Sequence, residues 1–362
     1  MKAIIVHNFC ESLDEIRVSN VPTPQPQEGE ILIQVIAAGV NFVDILYAQG
    51  RHQNNKSLVR PPFTLGLEFA GIVVSSPEAS SFKPGDAVFG DCPGSYCEFL
   101  VIPEASGSLQ KIPASWSFTE AAALGATLPV SYGALVLRGG LKAGETVLVH
   151  SAAGGLGAMA TQIAVAMGCR VLGTAGSAEK CTYAQGLGAS LCVNYSQGNW
   201  WERILEETDG RGVDVVFDPV GLVDRSLKCL AHRGRVLVVG FAGRDGQMEK
   251  IAMNRLLLKQ ATLTGYVSRY NFIRHTESRL TKLCYWQRYG ESLRRDPDER
   301  RRIWHKLQPL VENGRIQPTI YQCYTGLESL PRALKDLSSR KILGKAVIRV
   351  DDERKDSSKS RL

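Results

Sequence analysis

The chain lacks several features that would place it in a specialised class. It has no apolar run of about 18 residues, which predicts that it carries no transmembrane helix. Its nine cysteines are an odd number without regular spacing, which favours free thiols in a reducing compartment. The net charge of +7 is scattered, and acidic residues interrupt the densest basic run, 294–306. A solvated helix face explains that run, so nucleic-acid binding is not expected.

The apolar start of the chain, MKAIIVHNFCESLDE, acquires carboxylates at once and predicts a first strand rather than a signal peptide. Over the first 120 residues, β-branched runs alternate with turn residues, which predicts a β-rich, partly open, barrel-like region. The runs are GEILIQVIAAGV, EFAGIVVSS, KPGDAVFG and SYCEFLVIP. From Thr119, a plausible N-cap, the pattern changes to a helix or a helix pair.

A regular alternation of short apolar strands and helical segments follows. The six strands are TVLVH, CRVLGTAG, SLCVNY, VDVVFDP, RVLVVGF and ATLTGYV. Such alternation predicts an α/β fold with a Rossmann-type, doubly wound parallel sheet. The predicted domains are 1–124 for a catalytic domain, 125–267 for a nucleotide-binding domain, 268–350 for a return to the catalytic domain with extra helices, and 351–362 for a flexible tail.

Glycines cluster in HSAAGGLGAMATQIA, directly after the first strand of this alternation. Gly155, Leu156 and Gly157 open a match to G-x-G-x-x-G/A that ends at Ala160. In this pattern one glycine permits a tight turn, the next lets the backbone approach a pyrophosphate, and the last small residue allows close packing of helix and strand. Because a helix N-terminus also attracts phosphate, the stretch predicts dinucleotide binding.

The end of the second strand of the alternation favours NADPH over NADH. An NAD site has an acidic residue there that holds the ribose 2′-hydroxyl. Here the strand ends in Gly-Thr-Ala-Gly-Ser, and Ser177, Lys180 and Tyr195 are side chains that can donate to a 2′-phosphate. Glu179 is the contrary signal, unless its side chain points outward from the helix.

Ten blocks in the same order resemble the zinc-independent medium-chain dehydrogenase/reductase superfamily, specifically its quinone oxidoreductase (zeta-crystallin-like) branch. They include AAGVNFVDILYAQG, GLEFAGIVV, AAALGATLPVSYGAL, GETVLVHSAAGGLGAMATQIA, GVDVVFDPVG and GKAVIRV. The resemblance implies that the β-rich region is a GroES-like catalytic domain. It further implies transfer of a hydride from NADPH to a quinone or to the β-carbon of an α,β-unsaturated carbonyl compound, and a homodimer built through the edge of the Rossmann sheet.

Zinc-dependent relatives have G-H-E and a cysteine at two positions that carry other residues here. Leu67 stands between Gly66 and Glu68, and Asn41 stands in the cysteine's place. Neither leucine nor an amide is a suitable zinc ligand, and no second cysteine pair follows Cys92 and Cys97 at zinc-site spacing. The sequence therefore predicts no catalytic or structural zinc.

Three side chains are candidates for the reaction itself. Asn41 can donate its amide to the substrate carbonyl or to the cofactor, although an asparagine after Gly39 can also simply stabilise a turn. Relatives often have a tyrosine as proton donor where this chain has Arg51-His52, so Tyr47 and His52 are the remaining candidates, besides water.

Further cofactor contacts are implied by position. They are Ser131, near the place where relatives have a threonine, Val220 and Gly221 after the fourth strand, Gly240 and Phe241 after the fifth, Tyr266 after the sixth, and Arg340 before the last strand. Phe241 can pack near the nicotinamide or in the core.

The last three residues, Ser360, Arg361 and Leu362, resemble the S-K-L type of peroxisomal address and predict peroxisomal import, with a cytoplasmic location as the alternative. Peroxisomal import would favour enoyl-CoA substrates. One rival to the quinone or enone reductase is therefore an enoyl-thioester reductase. A second rival, of another class, is a non-catalytic NADPH-binding protein.

Overall fold

The computed structural model describes residues 1–52, 59–243, 249–267 and 298–350. Among them, 1–126, 298–302 and 320–350 form one compact unit, and 127–267 and 303–319 form a second. The predicted tail 351–362, which includes the tripeptide that predicts import, lies outside the described residues. None of the described helices is both long and apolar enough to span a bilayer.

The second unit is built on a sheet of six parallel strands. They are β9 (Thr146–Val149), β10 (Arg170–Ala175), β11 (Leu191–Asn194), β12 (Val213–Asp218), β13 (Leu230–Val238) and β14 (Thr262–Gly265), arranged β11-β10-β9-β12-β13-β14. Successive strands are added on one side of β9 up to β11 and then on its other side from β12 onward, as in a Rossmann sheet. The prediction of an α/β fold with a doubly wound parallel sheet is confirmed.

Five α-helices of the described residues connect these strands: α4 (Gly155–Ala166), α5 (Ala178–Gly186), α6 (Trp200–Glu206), α7 (Val223–Ser226) and α8 (Met253–Lys259). Helix α3 (Thr127–Tyr132), continued by a π-helical segment (Gly133–Arg138), precedes β9. All four residues of β9 are buried, which explains why its sequence is a short apolar run rather than an alternation. His150, which follows β9, is also buried, and its ring nitrogens lie 2.8 Å from the hydroxyls of Thr174 and Ser226.

The first unit contains two mainly antiparallel sheets. A three-stranded sheet has the order β2 (Val18–Asn20), β1 (Lys2–Val6), β4 (Phe63–Thr64). The larger sheet has β15 (Ile320–Thr325), β16 (Lys345–Arg349), β3 (Glu30–Val40), β5 (Glu68–Ser75), β6 (Ala87–Asp91) and β8 (Gln110–Lys111), while β7 (Phe99–Pro103) also pairs with β3. Its helices are α1 (Phe42–Ala48), α2 (Phe118–Ala122) and α10 (Leu330–Ser338); α9 spans Glu299–Glu312.

Only one face of strand β3 is buried over most of its length, whereas both faces are buried at its end. Its first seven residues alternate in burial, and its last four are all buried. At Gly39 a Cβ atom would lie 2.5 Å from the carbonyl oxygen of Ala122 and 2.5 Å from Oε1 of Glu68. Only glycine fits there, so the strand can end directly against α2 and the carboxylate of Glu68.

Two predictions from the sequence need correction. Helix α2 is capped by Ser117, not Thr119, because the Ser117 hydroxyl accepts the Glu120 N–H while the Glu120 carboxylate accepts the Ser117 N–H. The predicted return of all of 268–350 to the catalytic domain is also wrong for 303–319, which belongs to the second unit. There the Gln317 N–H donates to Oε1 of Gln162 at 2.8 Å, and Nε2 of Gln162 donates to the Gln317 carbonyl at 3.1 Å.

A buried ion pair fixes the first turn of α9 to β6. The guanidinium of Arg300 lies 2.7 and 2.6 Å from the two carboxylate oxygens of Asp91, and it also contacts the Ser108 hydroxyl. The two side chains are only 11% and 2% exposed. Removing one member of such a pair leaves the other charge without compensation in a medium that solvates it poorly.

We therefore expect Arg300→Met to lower the free energy of unfolding by about 3 kcal/mol. The matched control is Arg301→Met, since Arg301 pairs with Asp298 at the surface and should contribute less than about 1 kcal/mol. Denaturant unfolding followed by tryptophan fluorescence measures both. Equal effects of the two substitutions would contradict this account of the buried pair.

Candidate cofactor and active site

The glycine-rich turn lies between β9 and α4, where the predicted phosphate-binding motif starts. Gly154 is the N-cap of α4 and supplies no side-chain cap, and the first turn of the helix contains no acidic residue. A Cβ atom on Gly157 would overlap the backbone carbonyl of Ser151, which itself has a positive φ of 50°. The predicted residues Gly155, Leu156 and Gly157 therefore form an uncapped helix N-terminus whose N–H groups suit a pyrophosphate.

Ser177, Lys180 and Tyr195 come together at the carboxyl ends of the neighbouring strands β10 and β11. Ser177 is the N-cap of α5, where its hydroxyl accepts the N–H of Lys180 at 3.3 Å. The Tyr195 hydroxyl lies 2.9 Å from where a Cβ atom on Gly176 would stand. The three side chains are half-buried, whereas Glu179 is exposed. The site thus offers a hydroxyl, an ammonium and a phenol, all possible donors to a 2′-phosphate.

A buried carboxylate organises the loop after β12. Asp218 accepts the N–H groups of Val220 and Gly221, each at 2.8 Å, and that of Leu222 at 2.6 Å. The N–H groups of Val220 and Gly221 are therefore already paired. Any contact of these two predicted residues with a cofactor must involve their carbonyls or the Val220 side chain.

The loops after β13 and β14 hold three more of the predicted cofactor residues. At Gly240 a Cβ atom would come within 3.0 Å of the Pro219 carbonyl oxygen, so this glycine lets the loops after β12 and β13 approach each other. Phe241 is half-buried beside it. Tyr266 is buried, and its hydroxyl occupies the space that a side chain on Gly133 would need.

Ser131 is fully buried in α3. Its hydroxyl has two carbonyl acceptors, Thr127 at 2.9 Å and Leu156 at 3.1 Å, so it holds α3 against the start of α4. A contact of Ser131 with the nicotinamide stays a prediction, and the hydroxyl would have to give up these partners to donate to it.

In the first unit, Asn41 lies in the turn between β3 and α1 with its amide fixed at both ends. Nδ2 donates to Oε1 of Glu68 at 2.9 Å and approaches the Gly39 carbonyl at 3.4 Å. Oδ1 accepts a hydrogen bond from the Lys345 ammonium at 2.7 Å. Asn41 is half-buried, and its amide is held by the buried neighbours Glu68 and Lys345.

Glu68 and Lys345 form a buried ion pair next to Asn41. Oε1 of Glu68 contacts the Lys345 ammonium, and Oε2 accepts the Ala126 N–H at 2.7 Å. The ammonium also donates to the Val40 carbonyl at 2.8 Å. The two side chains are 0% and 4% exposed, so both charges depend on these partners.

Asp44, on the first turn of α1, is fully buried on the other side of Asn41. Its Oδ2 accepts the Asn41 N–H at 2.9 Å and lies 2.6 Å from the Tyr96 hydroxyl. Its Oδ1 has no hydrogen-bond partner among the described residues. Burial raises the pKa of Asp44 to about 7, with a smaller contribution from the negative charge of Glu68, and hydrogen bonds from Tyr96 and Asn41 and the charge of Lys345 oppose the shift.

The two candidate proton donors are stacked on one another at the end of α1. The rings of Tyr47 and His52 have centroids 4.3 Å apart and an interplanar angle of 30°. Burial lowers the pKa of His52 to about 4, so its imidazole is neutral at physiological pH. Arg340, the remaining predicted contact, is exposed just after α10 in the first unit.

The part of the chain that the structure describes contains no cluster of three or more His, Cys, Asp or Glu side chains placed to hold a metal ion. Leu67 is buried beside Glu68, and Cys97 donates its thiol to backbone carbonyls. The nearest cation to Asn41 and Glu68 is the ammonium of Lys345.

Sequence reasoning missed four residues of this cluster: Asp44, Glu68, Tyr96 and Lys345. One signal was available for Asp44, which stands three residues after Asn41 at capping-box spacing. Another was Lys345, a charged residue at the start of an otherwise apolar strand, KAVIR. Nothing in the sequence indicated that Glu68 and Lys345 would meet at the Asn41 amide, from which Lys345 is 304 positions away.

Fold and site together define a two-unit nucleotide-binding protein of the dehydrogenase type, and comparisons with known proteins agree. Residues 155–284 match the family model described as zinc-binding dehydrogenase, and residues 27–114 match that of the alcohol dehydrogenase GroES-like domain. Quinone oxidoreductase-like protein 2 from Bos taurus is 36% identical over 351 residues, covering 94% of this chain and 91% of the relative. Quinone oxidoreductase from Sus scrofa is 39% identical over 230 residues, covering 62% of this chain and 68% of the relative.

Two solved structures extend the likeness to the fold. Escherichia coli quinone oxidoreductase complexed with NADPH has a TM-score of 0.79 and 28% identity, covering 96% of this chain and 100% of its own. A mycobacterial protein complexed with NADPH has a TM-score of 0.81 and 29% identity, with the same coverage. The chain belongs to the medium-chain dehydrogenase/reductase superfamily, in its quinone oxidoreductase branch, as the sequence resemblance predicted.

The raised pKa of Asp44 predicts a pH dependence of stability. Because the folded-state pKa of about 7 exceeds the unfolded value, ionising Asp44 costs folding free energy as pH rises from about 4 to 7. The full shift corresponds to about 4 kcal/mol. Asp44→Asn mimics the protonated acid, so its unfolding free energy relative to wild type should rise over this window and level off above pH 7. Denaturant unfolding at a series of pH values measures the difference, and a difference independent of pH would contradict a protonated Asp44.

Proposed function

We propose that this protein is an NADPH-dependent, zinc-free reductase that transfers a hydride to quinones or α,β-unsaturated carbonyl compounds. The observation that carries the proposal is the half-buried Asn41 amide, which lies beside a buried cation with one N–H bound to Glu68 and the other in a long, 3.4 Å contact with the Gly39 carbonyl. The superfamily membership supports an oxidoreductase, and the names of the relatives favour quinones as acceptors.

The preference for NADPH rests on the carboxyl ends of β10 and β11. Ser177, Lys180 and Tyr195 can donate to a 2′-phosphate, and the strand end lacks the carboxylate that would repel it. The tight turn before α4 requires a glycine at position 157, where a Cβ atom would overlap the Ser151 carbonyl, and the uncapped start of α4 suits a pyrophosphate. Two similar structures are complexed with NADPH, which supports the same cofactor here.

Bound NADPH would supply a hydride. As hydride adds to the β-carbon of an enone, the double-bond electrons shift toward the carbonyl oxygen, which gains negative charge. A positioned N–H donor stabilises that charge, and we assign this task to Nδ2 of Asn41. The enolate then takes up a proton.

The source of that proton is the Tyr47 hydroxyl or water, with His52 less suited. A general acid must hold its proton near neutral pH, whereas the buried imidazole of His52 is neutral above about pH 4. Its stacking on Tyr47 favours a role in fixing the tyrosine ring.

The proposal of a zinc-free reaction rests on the residues around Asn41. Leu67 cannot ligate a metal, and the Asn41 oxygen is engaged by an ammonium rather than open to an ion. Lys345 supplies a fixed positive charge near the polarising amide, where a metal-dependent relative would use its ion.

Turnover with a panel of acceptors tests this function. We expect the purified protein to oxidise NADPH with an ortho-quinone or a simple enone, and to use NADH much less well. Loss of the Asn41 donor in Asn41→Ala should lower kcat by about 100-fold while leaving NADPH affinity unchanged. The assay follows the nicotinamide absorbance, and NADPH affinity is measured by fluorescence titration.

The other outcomes separate the rival functions. A preference for a trans-2-enoyl-CoA would identify an enoyl-thioester reductase and would agree with peroxisomal import, which stays a prediction from the Ser360-Arg361-Leu362 tripeptide. Tight NADPH binding without turnover of any acceptor would favour a non-catalytic binder.

We also propose that the protein is a homodimer. Among the described strands, β14 has one neighbour in its sheet, and exposed apolar residues lie next to it in the sequence, on α8 and just after β14. Met253, Leu257, Leu258 and Val267 are between 67% and 77% exposed. An apolar patch at an open strand edge is typical of a surface that a partner covers, and a second copy presents the same edge.

Leu257→Glu would place a charge in the middle of this patch, and we expect it to convert a dimer into a monomer. Light scattering after size exclusion gives the molar mass in solution. The control is Val165→Glu, since Val165 is an exposed apolar residue on α4. This helix joins β9 to β10, and in the sheet both strands are separated from β14 by β12 and β13. A wild-type monomer, or a dimer that survives Leu257→Glu, would exclude this interface.

A further inference from the structure

The side chain of Lys345 has a complete set of hydrogen-bond partners around its ammonium. It begins β16 and is 3% exposed. An ammonium has three N–H donors, and here three acceptors surround it: the Val40 carbonyl, Oδ1 of Asn41 and Oε1 of Glu68. Lys345 therefore contacts both the backbone just before Asn41 and the Asn41 side chain itself.

These contacts determine which way the Asn41 amide faces. With Oδ1 against the ammonium and Nδ2 against the Glu68 carboxylate, both ends have complementary partners. Turning the amide over would set NH2 against the ammonium and an oxygen against the carboxylate, two repulsive contacts in a buried site. The orientation of the amide is thus fixed by opposite charges at its two ends.

The fixed orientation leaves donor capacity on the nitrogen. One N–H of Nδ2 donates to Glu68 at 2.9 Å, whereas the other has only the Gly39 carbonyl at 3.4 Å, a distance at which a hydrogen bond is weak. The acceptor oxygen, by contrast, is occupied by Lys345. A ligand that replaced the long contact with Gly39 would therefore meet the donor end of the Asn41 amide, not its acceptor end.

The Glu68 carboxylate is itself anchored, so the orientation does not depend on mobile groups. Its second oxygen accepts the Ala126 N–H at 2.7 Å, and the absence of a side chain on Gly39 lets it lie directly against the end of β3. A buried ion pair adds little net stability compared with apolar residues of similar size. Its benefit here is the geometry that it imposes on the amide.

We propose that Lys345 is a positioning residue for hydride transfer, which holds the Asn41 amide so that its nitrogen donates to the acceptor carbonyl. This inference deepens the proposed function and depends on that function for the identity of the ligand. The orientation of the amide does not depend on the proposed function, because it is a property of the protein alone.

The primary test is Lys345→Met, which removes the ammonium and keeps the aliphatic chain. We expect kcat to fall about 10- to 100-fold, because the amide is no longer held, while NADPH affinity stays within about twofold. The matched control, Lys341→Met, removes the charge of an exposed lysine four residues earlier and should change neither value. An unchanged kcat in Lys345→Met would overturn the proposal.

A double-mutant cycle separates positioning from a general structural role. If Lys345 acts through Asn41, Lys345→Met should have no further effect on kcat in an Asn41→Ala background, so the two losses are not additive. A purely structural role predicts that the two fold-changes in kcat multiply in the double variant. Such multiplication would therefore overturn the proposal even if kcat falls in the Lys345→Met single variant.

A second measurement does not depend on turnover. In 15N-labelled protein, the Asn41 side-chain amide is assigned by its disappearance in Asn41→Ala. We expect a slowly exchanging N–H in the wild type and a shifted, faster exchanging signal in Lys345→Met. If no acceptor is reduced by the wild type, the proposed function fails while this result still decides on the positioning role; an unchanged signal would refute that role.

Lys345→Met alone leaves Glu68 with an uncompensated buried charge and could prevent folding. The double variant Lys345→Met/Glu68→Gln removes both charges and avoids this cost. We expect it to fold and to show the same altered Asn41 signal and reduced kcat. A folded double variant with wild-type kcat and signal would show that the ion pair does not orient the amide.

Discussion

The architecture of the first unit around Asn41 depends on one buried carboxylate. Glu68 starts β5, and its two oxygens bind groups from three other segments: the ammonium at the start of β16, the amide after β3, and the N–H of Ala126. A carboxylate in this position must be fully hydrogen-bonded, since an unpaired buried charge costs several kcal/mol. The demand for partners therefore joins segments that are far apart in sequence, and it explains why Gly39 has no space for a side chain.

The second unit depends on a different constraint, the close approach of backbone to backbone at the carboxyl edge of its sheet. Gly157 lies against the Ser151 carbonyl, and Gly240 lies close to that of Pro219. Because the strands are parallel, the loops after β9, β12 and β13 lie at one edge, which is where open parallel sheets bind their ligands. The glycines keep the first of these turns tight and let the other two loops approach each other. The buried carboxylate of Asp218 adds rigidity by pairing the N–H groups of the loop that follows β12.

The sheet of the second unit was predictable because its determinants are local. Buried strands such as TVLV are short apolar runs, helices have a different period, and the alternation between them requires parallel crossovers. The glycine turn was predictable for the same reason. The partners of Ser131 were not predictable, because a sequence pattern places the residue in a helix but does not give the direction of its hydroxyl, which turns to Thr127 and Leu156. The grouping of 303–319 with the second unit depends on Gln317 meeting Gln162, a contact that local pattern cannot reveal.

The cluster around Asn41 also depends on contacts between distant residues, which local sequence patterns do not reveal. The resemblance identified Asn41, but the chemistry of an amide depends on which end faces the ligand, and that is decided by Lys345 and Glu68. Both are charged residues in apolar strands, where charge is costly unless partners are supplied. A buried charge in a strand is thus a signal that a partner must exist, although sequence alone does not say which residue it is.

Asp44 extends the argument, since its carboxyl is buried without a cation of its own and burial raises its pKa instead. Two carboxylates and one ammonium share this small volume. Because the pKa of Asp44 is raised to about 7, its carboxyl is mainly protonated below that pH, and the charges around the Asn41 amide then balance.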